Sequence, residues 1–335
     1  MRMVVATGIL LSAAWVAQRT DLVGSLAAVR NLDPAMLVVA SLATVAGVVN
    51  RGFLHRESRA LHGVEHPLRS EICMSATSLA LNKVVKSGGL AGLAFYVRCA
   101  RRDGAPVGAV TRAFITVGAS AQLALAGLAV YALVLAPRDE VPVAGTLSDM
   151  VVGGVGAIAL AIVVAVFVVS VTTSPSRLRA PGVAVAAVRM VLHAATNKLL
   201  GICTLAAVLA ATDATVAFET VVLVYTTALV AGALSIVPAG VGAVEASMVA
   251  VLTASGVEPG PALVAVLAFR LFDLWLPVAI GWLLARRADV ELDEDAVDAT
   301  EGASSTTAGP TFTPDLVGVQ AWWRRPGSDV LGATA

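Results

Sequence analysis

Apolar residues fall in long blocks along this chain, and polar residues collect between the blocks. Runs with little or no charge occupy 3–18, 34–50, 113–136, 150–172, 183–212, 215–237 and 259–285. Each approaches or exceeds the ~20 residues that an α-helix needs to cross about 30 Å of hydrocarbon, so the pattern predicts seven full spans. Two further apolar stretches, 71–97 and 238–257, are interrupted by NKVVKSGGLAG at 82–92 and VPAGVGAVEAS at 237–247. Irregular backbone at membrane depth survives only where protein or a watery cavity satisfies its polar groups, and in transporters such breaks mark the transport site. The expected fold class is an all-α polytopic membrane protein with two broken, re-entrant helical stretches. Arg2 followed by the apolar run 3–17 imitates a secretory signal, but Trp15 spoils the small-residue cleavage pattern, and a retained first helix is expected.

Arginine placement sets the topology, because cytoplasmic loops collect Lys and Arg. Arg51, Arg56, Arg59 and Arg69 are read as one loop, Arg98, Arg101 and Arg102 as a second, Arg177 and Arg179 as a third, and Arg286 with Arg287 as the start of a tail. The first two clusters share a face only if 71–97 enters and returns as a hairpin bent at Ser87, Gly88 and Gly89. The loops left outside then hold only Arg19, Arg30 and Arg138 with the acids Asp139, Glu140, Asp149 and Asp213. The same scheme makes 215–237 and 240–255 a pair entering from the opposite face, and puts both termini inside, in a bacterial-type plasma membrane. The breaks also share a spacing: Gly88 is followed by Gly104, and Gly240 by Gly256, sixteen residues on in each case. Opposed entry with common spacing predicts an inverted repeat, at whose interface transporters hold substrate.

Composition agrees with this reading. Hydrophobic residues make up 58% and charged residues 14%, against roughly 45–50% and about 25% in a soluble domain, which excludes a water-soluble globule. Residues 286–335 carry 4 Lys/Arg and 9 Asp/Glu, leaving an excess of cations before them. The expected division is a membrane domain at 1–287 and an acidic, Ser/Thr/Gly/Pro-rich tail at 288–335 with the makings of disorder. Ala321-Trp322-Trp323-Arg324-Arg325 in that tail suits a membrane interface, or is an isolated hydrophobic spot. Cys73, Cys99 and Cys203 have neither metal-ligand spacing nor an even count. No cofactor, metal or nucleic-acid partner is indicated, and the phosphate-binding GxxxxGK[ST] pattern of an ATP-driven pump is absent.

A charge inside hydrocarbon costs several kcal/mol, roughly 2.5–3.5 on insertion scales, so the few such residues are the candidate site. Lys83 and Lys86 lie one turn apart beside the first break, next to Asn82. They suit an anionic headgroup, or their long side chains reach the interface. Arg189, His193 and Asn197 recur every four residues and form a polar stripe, with Lys198 beside it. Alone, Arg189 reads as an interface anchor and His193 as a packing residue. Lys198 is either a substrate cation or half of an ion pair with Glu219 or Glu245. Glu245 follows the second break (Pro238, Gly240, Gly242), where a carboxylate gains from a helix N-terminus. Arg270 and Asp273, three apart, neutralise one another or bind substrate; Arg270 falls near mid-membrane.

The stretch 235–287, SIVPAGVGAVEASMVAVLTASGVEPGPALVAVLAFRLFDLWLPVAIGWLLARR, resembles the C-terminal signature of the lysylphosphatidylglycerol synthetase transmembrane family, a group of flippase-like membrane proteins. Pro238, Gly240, Gly242, Glu245, Gly256, Arg270, Trp275 and Pro277 match that signature position by position. KSGGLAGLAFYVRCARRDGAPVGAV is similar to the family's first glycine-rich break, except that Ser87 stands for a proline and Leu93 lies where an acid is expected. In bifunctional members a large soluble aminoacyl-transferase domain follows, and the residues after Arg286 are too few to form one. The resemblance implies that the amphiphile carried is a lipid, an anionic phospholipid or a lipid-linked sugar.

The expected function is therefore movement of a lipid between leaflets, with Lys83, Lys86, Lys198 and Arg270 around its headgroup and Glu245 and Asp273 competing for those cations when the site is empty. A small-solute permease and a polytopic lipid-modifying enzyme are the alternatives. Enzyme chemistry needs paired carboxylates or a nucleophile and base within reach, and Asp139, Glu140 and Asp149 are the only acidic extramembrane group seen. The sequence shows no energy source, which leaves room for a homo-oligomer or a partner subunit.

Overall fold

The computed structural model describes residues 32–85, 87–135, 183–214, 216–235 and 237–286. Every regular element among them is helical. The expectations for 3–18, 150–172, the loop acids at 139–149, Arg19, Arg30, Arg138, Arg177, Arg179, Lys86 and the tail 288–335 lie outside the described residues.

Helix α1 spans Pro34–Leu61. Asp33 starts it by accepting the Ala35 N–H at 2.8 Å, with Pro34 in the first turn, where a missing N–H costs nothing. The sequence reading ended this helix near residue 50 and put Arg51, Arg56 and Arg59 in a loop. Instead the helix continues, because His55, Ser58 and Arg59 fall on one buried face with Arg51 one turn before them, while Arg56 and Ala60 stay exposed. Arg59 pairs with Glu71 at 2.9 Å, both side chains sealed from solvent, and Ser58 Oγ donates to the Ala113 carbonyl at 2.8 Å. Of the charges that read as a loop, Arg59 is inside the bundle and Arg51 half-buried, while Arg56 and Arg69 stay exposed.

Helices α2, Leu68–Val84, and α3, Leu90–Arg102, form an antiparallel hairpin. The Gly92 N–H donates to Asn82 Oδ1 at 2.8 Å near the bend, and His66 Nε2 lies 3.4 Å from Asp103 Oδ2 where the two ends meet again. His55 of α1 stacks on Tyr96 of α3 at 4.8 Å between ring centroids. Helix α4 follows over Val107–Leu135, and α5 over Val183–Ala211.

Helix α5 packs along α1 through the predicted polar stripe, which proves to be a seam between the two helices. His193 Nδ1 lies 2.7 Å from Asn50 Oδ1, Asn50 donates to the His193 carbonyl at 2.8 Å, and Asn197 donates to the Gly47 carbonyl at 3.3 Å. Arg189 reaches Glu57 at 3.9 Å, and Thr44 and Thr204 meet at 3.5 Å. These hydrogen bonds satisfy polar groups that lipid cannot satisfy.

Helix α6 covers only Phe218–Leu234, the turn Pro238–Gly240 follows, and α7 runs Ala243–Ala254. At 17 residues, or about 25 Å, α6 is shorter than the span predicted at 215–237 and packs against α7. Helix α8 begins at Pro259 and continues to residue 286 through a π-helical turn at Leu271–Trp275. Pro277 accounts for that turn: it offers no N–H, and its ring crowds the carbonyl four residues earlier, at Asp273.

Both hairpins end alike. Gly104 and Gly256 have φ of 67° and 88°, and the next residues, Ala105 and Val257, donate five residues back to Ala100 and Leu252 at 2.8 and 3.0 Å. Among the described residues, four helices are long and apolar enough to cross a membrane: Pro34–Leu61, Val107–Ala132, Ala184–Ala211 and Pro259–Arg286. Their outward faces carry large apolar side chains such as Leu42, Leu192, Leu267 and Trp282, which suits hydrocarbon rather than water. The main core lies between α5, α6, α7 and α8, around Leu205, Val208, Met248, Leu252 and Val266.

Candidate functional site

Both breaks meet α8 at one place. Helix α2 packs against the Pro238–Gly240 turn, and Thr77 of α2 donates to the Gly281 carbonyl of α8 at 3.3 Å. A Cβ on Gly281 would strike the α2 backbone at Ala76, so the two helices touch where glycine permits it. That contact sets Lys83, in the last turn of α2, beside the π-helical turn of α8.

Arg270 is 6% exposed and uses all three guanidinium nitrogens on protein. Its Nε donates to Glu245 Oε1 at 2.6 Å, one terminal nitrogen to the Ala239 carbonyl at 2.7 Å, and the other approaches Asp273 Oδ2 at 3.5 Å. Ala239 has a φ of 57°, a conformation unfavourable for alanine. The Arg270 fork binds the carbonyl of that residue, so it holds the second break in place. Glu245 Oε2 accepts the Gly242 N–H at 2.6 Å, which caps α7 with the same carboxylate that pairs with Arg270. Asp273 Oδ2 also accepts from Lys83 Nζ at 3.1 Å. Lys83, Asp273, Arg270 and Glu245 thus form one chain of charge from the first break to the second.

Among the described residues, Lys198 has neither hydrogen bond nor ion pair. Glu245 is committed to Arg270 and Gly242, and Glu219 sits in the first turn of α6. The ion pair weighed for Lys198 with either acid is therefore not formed. Lys198 is nevertheless within electrostatic reach of Arg51, Asp273 and Lys83.

At the first break, Gly88 and Gly89 have φ of 61° and 95°, and Ser87 Oγ accepts the Ala91 N–H at 2.9 Å. At the second, Gly240 and Gly242 have φ of 66° and 88°. Between the breaks lies a cavity of about 190 Å³ lined by Asn82, Lys83, Tyr225, Ala239, Arg270 and Asp273 among others. Its volume is below the roughly 300–1,000 Å³ of pockets that take drug-sized ligands, so it has room only for a small group. Among the described residues no three His, Cys, Asp or Glu side chains assemble as a metal site.

The sequence reading missed Arg51, Asn82 and the Arg59–Glu71 pair as members of the interior. The signal was present: Arg51, His55 and Arg59 recur every four residues on one helical face. In the turn between α1 and α2, His66 is held between Glu71 and Asp103, and burial followed by the Arg59 charge lowers its pKa below the ordinary 6.5.

The match to known families now has a structural setting. The family model of the lysylphosphatidylglycerol synthase TM region matches residues 3–281. The chain belongs to that family. Its membrane region carries the breaks, the Arg270–Glu245 pair and the cavity inside the matched residues. A search of curated proteins finds no match.

Proposed function

We propose that this chain moves a lipid with an anionic headgroup between leaflets, the headgroup passing through the cavity between the two breaks while its chains remain in the bilayer. The observation that carries the proposal is the junction itself, a small, mostly apolar cavity into which Lys83 of α2 and Arg270 and Asp273 of α8 bring charge beside the second break. A cavity of about 190 Å³ suits a headgroup, and the family description points to a lipid-related membrane role. In this reading α2–α3 and α6–α7 are re-entrant hairpins from opposite faces, related as an inverted repeat. The shared sixteen-residue spacing of their glycines, Gly88 to Gly104 and Gly240 to Gly256, supports that relation. Both termini are cytoplasmic, in the plasma membrane, and the chain carries rather than modifies its lipid.

The test is lipid movement in vesicles containing the purified full chain. Fluorescent phosphatidylglycerol in the outer leaflet is bleached by a membrane-impermeant reductant, and protein-dependent loss of the protected fraction is the expected result. Unchanged protection for every lipid, with uptake of a small solute into the same vesicles, would replace this reading with a permease.

A further inference from the structure

Two buried arginine–carboxylate pairs join helices of the bundle, and they differ in how their atoms are satisfied. Arg270 commits every guanidinium nitrogen to hydrogen bonds with protein. Arg59 of α1 and Glu71 of α2 come within 2.9 Å, sealed from solvent, yet none of the three guanidinium nitrogens and neither carboxylate oxygen makes a hydrogen bond among the described residues. Such a pair carries the desolvation cost of two charges without the hydrogen bonds that offset it. It also has an approach from the surface. The His66 ring stands between two carboxylates, with Nε2 3.4 Å from Asp103 Oδ2 and Nδ1 3.7 Å from Glu71 Oε1. Asp103 closes α3 at the exposed mouth of the hairpin, so the three groups form a line from solvent to the buried pair. An imidazole takes a proton on one nitrogen and releases one from the other. Contacts of this length shorten, or are bridged by one water, when a proton moves.

The other titratable groups on the surrounding elements leave this line intact. His55 of α1 is stacked on Tyr96 of α3, and Arg102 of α3 lies 3.4 Å from Asp103 at the solvent end. Glu65 in the turn, Arg69 of α2 and Arg112 of α4 are exposed. Beside Glu71, α1 and α2 are at close approach: a Cβ on Gly52 would fall 2.9 Å from the Ile72 Cα. Helix α2 is therefore clamped at both ends by ion pairs, Glu71 with Arg59 and Lys83 with Asp273. We infer that Glu71 is a proton-binding site supplied through Asp103 and His66, and that proton binding there frees the α2–α3 hairpin from α1 and speeds lipid movement. The last clause rests on the lipid reading above, and the proton site does not. Asp103, protonated from water, gives its proton to His66 Nε2, and the imidazolium releases its Nδ1 proton to Glu71 Oε1. Asp103 is then again a carboxylate, His66 is neutral, and Glu71 is a carboxylic acid. Arg59 loses its counter-charge, and the clamp between α1 and α2 loosens.

The test uses the purified full chain in phosphatidylcholine vesicles carrying fluorescent phosphatidylglycerol, buffered alike on both faces from about pH 8 down to about pH 5. Lipid movement should quicken as pH falls, by at most about tenfold per unit for a one-proton step. A carboxylic-acid band should appear in the infrared spectrum over the same range. Glu71→Gln should remove that band and flatten the rate against pH. His66→Gln should slow the rise of the band after a pH jump, a change that loss of packing alone does not produce. In the parent, a rate indifferent to pH would overturn the release of the hairpin, and absence of the band would overturn the proton site, whether or not the variants fold. A folded Glu71→Gln that keeps both band and pH dependence would assign the proton to another acid, such as Asp273, and overturn the inference. An unchanged rise in His66→Gln would overturn the relay. Vesicles that move no lipid at any pH would sink the function above, while the Glu71 band would still decide the proton site.

Discussion

Arg270 is bonded more closely to Glu245, 25 residues away, than to Asp273 on its own helix, at 2.6 against 3.5 Å. Removing one member of a buried pair leaves an uncompensated charge, at a cost of about 3–5 kcal/mol, whereas replacing both is often neutral. Arg270→Met and Glu245→Met should therefore each lower the thermal midpoint of the purified protein sharply, and the double variant should recover most of the loss. Pairing Arg270→Met with Asp273→Leu should recover less, because Glu245 then stays unpaired and Lys83 loses its acid. Equal recovery by the two doubles would show that the 2.6 Å contact does not dominate.

The glycines at the two breaks are not equivalent. Gly88 has a left-handed φ of 61° but open space where a Cβ would lie. Gly240, at 66°, would place a Cβ 2.8 Å from Val244 Cγ2 and 2.9 Å from the Gly232 Cα. Gly88→Ala should cost about 1–2 kcal/mol, the conformational term alone. Gly240→Ala should cost more, and Gly240→Val should abolish lipid movement, because α6 and the break cannot separate without disturbing the carbonyl that Arg270 holds. Thermal midpoints of the alanine variants check the order. Gly240→Ala as mild as Gly88→Ala would mean that the break relaxes freely.

His66 is expected to make the hairpin sensitive to acid. It lies 3.4 Å from Asp103 and 3.7 Å from Glu71, yet burial and then Arg59 lower its pKa from 6.5. With the folded pKa below the unfolded one, the unfolded chain binds more protons in acid. The neutral imidazole's contribution is present above pH 6.5 and is lost as pH falls below it through the folded pKa. The thermal midpoint should therefore drop more between about pH 7 and pH 5 in the parent than in His66→Gln. Parallel curves would exclude the imidazole as the source.

What the sequence disclosed and what it hid divide along physical lines. Glycine and proline speak for their own backbone, so the interruptions at Ser87–Gly89 and Pro238–Gly242 were legible before any coordinates. The extent of α1 was not. Charge in an apolar chain reads as a loop, and only three-dimensional pairing, Arg59 with Glu71, explains how a helix carries it inward. The acidic partners of Arg270 were legible, Asp273 three residues on along the helix and Glu245 through the second break, and both pair with it; the Ala239 carbonyl has no sequence signature. The π-helical turn is legible only in retrospect, from Pro277. Lys198 without a partner is a property of the assembled bundle, since two acids seemed available to it by composition alone.

Topology gives the last prediction. Helix α1 has 28 residues, which at 1.5 Å each is about 42 Å, long enough for its ends to emerge on opposite sides of a bilayer. Its first end is tied to the end of α5, where the Asp33 N–H donates to the Ala211 carbonyl at 3.0 Å. Its other end leads into α2, and the His66–Asp103 contact returns α3 to that same end. In a chain with Cys73, Cys99 and Cys203 replaced by serine, Glu65→Cys and Arg102→Cys should react with an impermeant maleimide from one side, and Ala214→Cys from the other. The arginines flanking 65 and 102 predict that theirs is the cytoplasmic side. Reaction of 65 and 102 from opposite sides would turn α2–α3 into a full crossing and remove the inverted repeat. Reaction of 65 and 214 from one side would mean that α1 does not span.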